Sequence, residues 1–215
     1  MTPPTTTAST TTMLRPFATP VPLGFLGLAG GALVVSALQL GWIPAHERHA
    51  VALVMLAYAF PLQLIAALLG FRCRDTAFGT AMGVLATSWL VQSAILADGP
   101  PAEVRHTLGL FLLITAAALL VPLAAAGRGK LVASAVIGMA AVRLSLAGIH
   151  QFTQSAAWED AAGATGLALG ALALYAAAAF ALEDTQGRPV LPVGRYGSGA
   201  RAVEEGAEPG VRPLL

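Results

Sequence analysis

Arg143 is the one formally charged side chain inside any of six long apolar runs of this chain. Charge in a hydrocarbon environment is costly, so a residue of this kind is a functional candidate by default. A fixed cation beside an anion pathway would concentrate small anions there. Two other readings stand beside this one. Arg143 lies seven residues before His150, about 10 Å from its helix end at helical rise, close enough to snorkel to the interface. It could equally face a neighbouring subunit. Neutral polar side chains in the same runs could receive a desolvated anion: Ser36, Gln39, Gln63, Thr80, Thr87, Ser88, Trp89, Gln92 and Ser93. Thr87, Ser88, Gln92 and Ser93 gather around Trp89, although four such positions on one helix cannot all face one pathway. The competing reading is that these groups bond only their own backbone or an adjacent helix.

Enzyme chemistry finds little to use. The apolar runs hold no carboxylate, hence no general acid/base pair. The only lysine, Lys130, falls in a loop, which excludes a Schiff base within a run. His46, His49, His106 and His150 all fall toward one side, so haem ligands stacked across a bilayer are not expected. With Glu47, Asp98, Glu103, Glu159 and Asp160 nearby, that histidine face could sense acidity or deliver protons. The plainer reading is a set of solvated interfacial residues. His46 and His49 have a loose metal-ligand spacing, but no cysteine joins them. No metal, cofactor or nucleic-acid partner is expected.

The elements that must position these residues are membrane helices. Of 215 residues, 56% are hydrophobic and 11% charged, too few charges for the surface of a soluble domain. Six runs of bilayer-crossing length follow one another: Leu23–Ile43, Ala50–Phe71, Ala77–Ala97, Thr107–Ala126, Leu131–His150 and Ala162–Leu182. They are continuous in Ala, Leu and Val, unlike the short alternating strands of a barrel. The expected fold is an all-α integral membrane protein, a six-transmembrane-helix bundle with short loops and antiparallel neighbours. With both termini on one side, that side carries Arg15, Arg72, Arg74, Arg128, Lys130, Arg188, Arg195, Arg201 and Arg212, against Arg48 and Arg105 on the other. The positive-inside rule then places both termini in the cytoplasm, in a cell inner membrane. Cys73 is the only cysteine, so no intramolecular disulfide can form. Residues 1–18 and 195–215 read as disordered tails around a membrane domain of residues 19–194.

Small residues mark where helices approach. Gly24, Gly27 and Gly31 leave one face of the first helix bare, and Gly79/Gly83 and Gly166/Gly170 are further packing pairs. Pro20 and Pro22 lead into the first helix and are expected to impose an extended lead-in.

Three blocks carry a family resemblance. Thr19-Pro20-Val21-Pro22-Leu23-Gly24-Phe25-Leu26-Gly27-Leu28 resembles the Asn-Pro-Ala-Pro-Leu-Gly-Leu signature of the acetate uptake transporter family, also called the YaaH or acetate/succinate transporter family. Gln63 through Arg72, then Asp75-Thr76, Thr80-Ala81 and Trp89, is similar to that family's Gln-bearing helix, basic loop and following helix. Gly187-Arg188-Pro189-Val190-Leu191-Pro192-Val193-Gly194 resembles its closing motif.

The resemblance implies a six-helix protomer with its own pathway, assembled as a homohexamer. It implies passage of acetate or other small carboxylates such as succinate, either coupled to protons or channel-like. Its constriction carries over onto Leu28, Leu85 and Met139, where the family commonly has Phe at the first position and Tyr at the second. A hydrophobic constriction survives these changes, and such a ring can gate by dewetting. The missing Tyr hydroxyl, and Thr19 in place of the motif Asn, bear on which carboxylate is carried. The alternative is a non-transporting membrane sensor or partner protein of the same fold.

Overall fold

The computed structural model describes residues 18–98, 102–126 and 129–195. The expectations for the two tails, and Arg15, Arg128, Arg201 and Arg212, fall outside this set, apart from Ala18 and Arg195 at its margins. Six helices are long and apolar enough to cross a membrane: α1 Val21–Gln39, α2 Ala45–Arg72, α3 Thr76–Asp98, α4 Arg105–Ala126, α5 Leu131–Thr153 and α6 Ala156–Gln186. No strand occurs among the described residues. Each helix packs on the next and α6 returns to pack along α1, closing the bundle. Helices α1, α3 and α5 therefore run one way, and α2, α4 and α6 the other.

The ends differ from expectation for local reasons. Pro20 is not extended: it adopts a helical conformation (φ −80°, ψ −3°) and its carbonyl accepts the Gly24 N–H at 3.1 Å. Pro22 then sits in the first helical turn, where its missing N–H would have had no carbonyl to serve. At its other end α1 stops at Gln39, four residues short of the predicted Ile43. Gly41 turns left-handed (φ +71°), the Trp42 N–H reaches Ala37 O at 2.8 Å and the Gly41 N–H reaches Leu38 O at 3.1 Å. This double return closes the last carbonyls in the manner of a Schellman cap. Helix α6 instead extends six residues before Ala162 and four beyond Leu182.

Helix α2 is continuous from a short 3-10 turn at Ala45–Glu47 but changes its winding midway. Met55–Ala59 form a π-helical turn just before Phe60 and Pro61. Pro61 has no N–H to close the usual bond to Ala57, and one wider turn absorbs the mismatch.

The glycine stripe of α1 meets α2 there. A Cβ on Gly27 would stand 2.9 Å from Leu62 Cβ, and one on Gly31 2.7 Å from Ala59 Cβ and 3.1 Å from the Trp89 ring. The backbones of Gly70 and Gly79 meet likewise between α2 and α3, and those of Gly109 and Gly148 between α4 and α5. Without a driving force from water, close approach of this kind is what gives membrane helices their packing energy. The apolar side chains left outside, such as Leu53, Leu56, Leu68, Leu110, Ile114 and Val121, form the outward-facing belt.

The closing motif is structural. Gly187 takes a left-handed conformation (φ +63°) and ends α6. The chain then folds back so that the Tyr175 Oη donates to Pro192 O at 2.7 Å. Gly194 O and Val193 O accept the N–H groups of Leu131 and Val132 at 2.9 and 3.2 Å, satisfying donors that open α5. Arg195, expected to begin the disordered tail, pairs with Glu183. Leu191 packs against the core, whereas Arg188 is exposed. Asp75 caps α3 by accepting the Phe78 N–H at 3.0 Å, and lies 3.8 Å from Lys130.

Candidate functional site

The interior of the ring carries a connected polar seam. Gln63 on α2 is fully buried, and its Oε1 accepts the indole N–H of Trp89 on α3 at 2.6 Å. Its Nε2 faces Gly24 O at 3.4 Å and Met82 Sδ at 3.5 Å, so one amide joins three helices. Arg143 on α5 lies beside Trp89, its guanidinium carbon 6.0 Å from the ring centroid. Its Nη2 donates to Gln39 Oε1 on α1 at 3.3 Å. Only 2% of Arg143 is exposed, so the side chain turns into the bundle rather than reaching out to the interface or to the protomer's outer surface.

Two atoms of this seam have no partner. Arg143 Nε and Ser36 Oγ are both buried, and neither makes a hydrogen bond. They come together over Gly166 of α6: a Cβ at that position would stand 2.0 Å from Ser36 Oγ and 2.5 Å from Arg143 Nε. Gly166 is thus a clearance for two polar side chains as well as part of a packing stripe. Among the described residues no carboxylate pairs with Arg143. Insertion scales put an Arg at the centre of a membrane helix at about 2.5–3.5 kcal/mol. One neutral amide and one aromatic face offset part of that.

The carried-over constriction residues are apolar core. Leu28 and Leu85 are buried, and Met139 is half-buried against the same core. Leu85 precedes Trp89 by four residues and Met139 precedes Arg143 by four, each about 6 Å at helical rise. Because α3 and α5 run in parallel, Trp89 and Arg143 are displaced from their apolar partners in the same direction. Ser36 is displaced that way from Leu28 as well.

Four of the remaining polar candidates, all on α3, do not join the seam. Thr87 is exposed and bonds Gly83 O at 2.6 Å; Ser88 bonds Leu85 O at 2.7 Å, Ser93 bonds Leu90 O at 2.9 Å, and Gln92 bonds Ser88 O at 3.1 Å. Each returns to its own helix, the self-satisfying pattern such side chains favour. Of the family-motif residues, Gly24 and Gly27 take part in the α1 seam, while Thr19, Pro22 and Leu23 are half-buried at its start and Pro20 is buried. The histidines stay at the opposite end from the closing motif. His46 and His49 are exposed, His106 stacks on Phe152 with centroids 5.5 Å apart, and His150 lies 3.9 Å from Glu159. No metal-holding group of His, Cys, Asp or Glu forms among the described residues.

The Gln63–Trp89 bond and the role of Gly166 are absent from the sequence reading. Gln63 and Trp89 both belong to the second family-like block, which singles them out, but nothing in their spacing of 26 pairs them.

Comparison with known proteins finds a matching family and a similar solved structure. The model of the GPR1/FUN34/yaaH family matches residues 4–194. Among solved structures, that of the bacterial acetate channel SatP matches with a TM-score of 0.75 at 27% identity, covering 83% of this chain and 99% of that one. No curated protein matches the chain.

Proposed function

The chain belongs to the GPR1/FUN34/yaaH family, and from that membership we propose that it carries small monocarboxylates, acetate first, across a membrane through a pathway inside each protomer. The observation that carries this reading is the six-helix ring, similar along nearly the whole length of the matched chain to a bacterial acetate channel. The buried seam beside an apolar core supports it, since an anion crossing a low-dielectric bundle needs donors next to its narrowest point.

In this reading Leu28, Leu85 and Met139 form the constriction, and Trp89, Arg143 and Ser36 stand on one side of it. Both termini lie in the cytoplasm of a cell with the protein in its inner membrane, as the placement of Arg and Lys favours. The assembly is a homohexamer, transport is linked to protons, and no catalysis is involved.

Uptake of labelled acetate into proteoliposomes tests this, with and without an inward proton gradient and at a pH well above the acetic acid pKa. Protein-dependent uptake that rises with the gradient supports proton-linked transport, and equal uptake without it supports a channel. No uptake of acetate, succinate or lactate by intact protein would leave a non-transporting sensor or partner of the same fold.

A further inference from the structure

The geometry points to a carboxylate-binding station formed by Arg143, Ser36 and Gln39 over Gly166, in which a permeating anion is the missing counter-ion of Arg143. This deepens the transport reading and takes the identity of its ligand from it.

Three observations carry the assignment. The first is an uncompensated charge: Arg143 is 2% exposed and, among the described residues, pairs with no acid. A buried guanidinium in that state is poorly solvated and attracts any anion able to reach it. The second is a pair of idle donors. Arg143 Nε and Ser36 Oγ lie together, both buried and both without a hydrogen-bond partner. Native proteins rarely leave such groups unsatisfied, and each exception calls for a cause. A guanidinium N–H beside a hydroxyl offers two donors and a positive charge, which suits the two oxygens and single charge of a carboxylate.

The third is clearance. Any side chain at 166 would collide with Ser36 Oγ at 2.0 Å and Arg143 Nε at 2.5 Å, so only glycine permits the arrangement. Gln39 Oε1 accepts from Nη2 of the guanidinium and leaves Nε unoccupied. The station stands one to two helical turns from Leu28, Leu85 and Met139, so an anion held there waits beside the apolar ring.

Trp89 supplies the test, because it lies 6.0 Å from the guanidinium. Changing Trp42 and Trp158 to Phe leaves it as the sole tryptophan, and both replaced residues are exposed. The full-length protein in nanodiscs at neutral pH is titrated with sodium acetate, against sodium chloride at matched ionic strength, while acetate flux is measured in parallel.

The expected result is a saturable change in Trp89 emission with acetate. Arg143→Gln should weaken it by roughly tenfold or more, the scale of one charged hydrogen bond. Ser36→Ala guards against a folding artefact. Removing a buried hydroxyl with no partner leaves the melting temperature unchanged or higher, yet it should raise the acetate concentration for half-saturation several-fold.

Acetate flux with a silent Trp89 and normal saturation in Arg143→Gln and Ser36→Ala would overturn the station and leave the transport reading intact. An Arg143-dependent acetate response in a protein that passes no acetate would support the station and overturn the transport reading. An equal response to chloride would overturn the assignment to carboxylates.

Discussion

The Trp89 indole N–H and the Gln63 carbonyl oxygen meet at 2.6 Å in the middle of the bundle, and this bond orients both side chains. Gln63 then spends its amide nitrogen on α1 and Met82, while the Trp89 ring borders both Gly31 and Arg143. Trp89→Phe would leave Gln63 Oε1 without its donor. We expect a loss of about 0.5–2 kcal/mol, with coupling to Gln63→Leu of the same order in a double-mutant cycle measured by unfolding in lipid. Additive single effects would show that the two side chains act independently.

Glycines of the same spacing are expected to differ in tolerance. Gly31→Val places a Cβ 2.7 Å from Ala59 Cβ and 3.1 Å from Trp89, and overpacking of that kind costs about 1–3 kcal/mol. Gly83→Ala meets only Ala67 Cβ at 3.8 Å, and the better helix former should keep or raise stability by up to about 1 kcal/mol. Thermal unfolding of the two variants side by side decides it; equal losses would mean that spacing, not the local neighbour, sets tolerance.

At Leu28 and Leu85, which the proposed transport reading assigns to the pathway, the two directions of change should separate. If the proposed constriction is placed as the transport reading has it, Leu85→Trp should cut acetate flux at least tenfold by filling it, while Leu28→Ala should raise flux and admit larger carboxylates. Proteoliposome uptake of acetate and lactate checks both. Undiminished acetate flux in a correctly folded Leu85→Trp protein would move the pathway away from this residue.

The closing segment should be visible in hydrogen exchange. Leu131 and Val132 amides are held by Gly194 and Val193 carbonyls, so ending the chain after Gln186 should speed their exchange by an order of magnitude or more. Gly194→Ala should act in the same direction, since φ is +63° there and a Cβ would meet Leu131 Cβ at 2.8 Å.

Asp75 gives a small local prediction. Asp75→Ala removes the cap on the Phe78 N–H and should cost about 1 kcal/mol, whereas Asp75→Asn keeps an acceptor and should cost little. A pair of melting curves is enough, and equal losses would assign the effect to the contact with Lys130 instead.

The spans were legible because long Ala, Leu and Val runs are interrupted only by short polar stretches. Their ends were less so, since hydropathy records depth in a membrane while helices stop where the backbone finds a cap. Gly41 shortened α1 in this way, and α6 continued through Glu159, Asp160 and Glu183, which no apolar pattern includes. Arg143 stood out by its charge alone. What could not be read was rotation: whether Thr87 or Trp89 faces inward depends on how α3 is turned by Gly70 against Gly79 and by Gln63. The pairing of Ser36 with Gly166, 130 positions apart, likewise exists only once α1 and α6 have met.

The grip of Val193 and Gly194 on the first turn of α5 sets the axial register of that helix. Met139 and Arg143 both ride on α5, so their heights in the bundle are fixed from one end by a segment that follows the last span. A slip of one residue would shift both by about 1.5 Å and change the placement of the cation against Ser36. The carboxyl-terminal strap is therefore a depth stop for the helix that bears the charge.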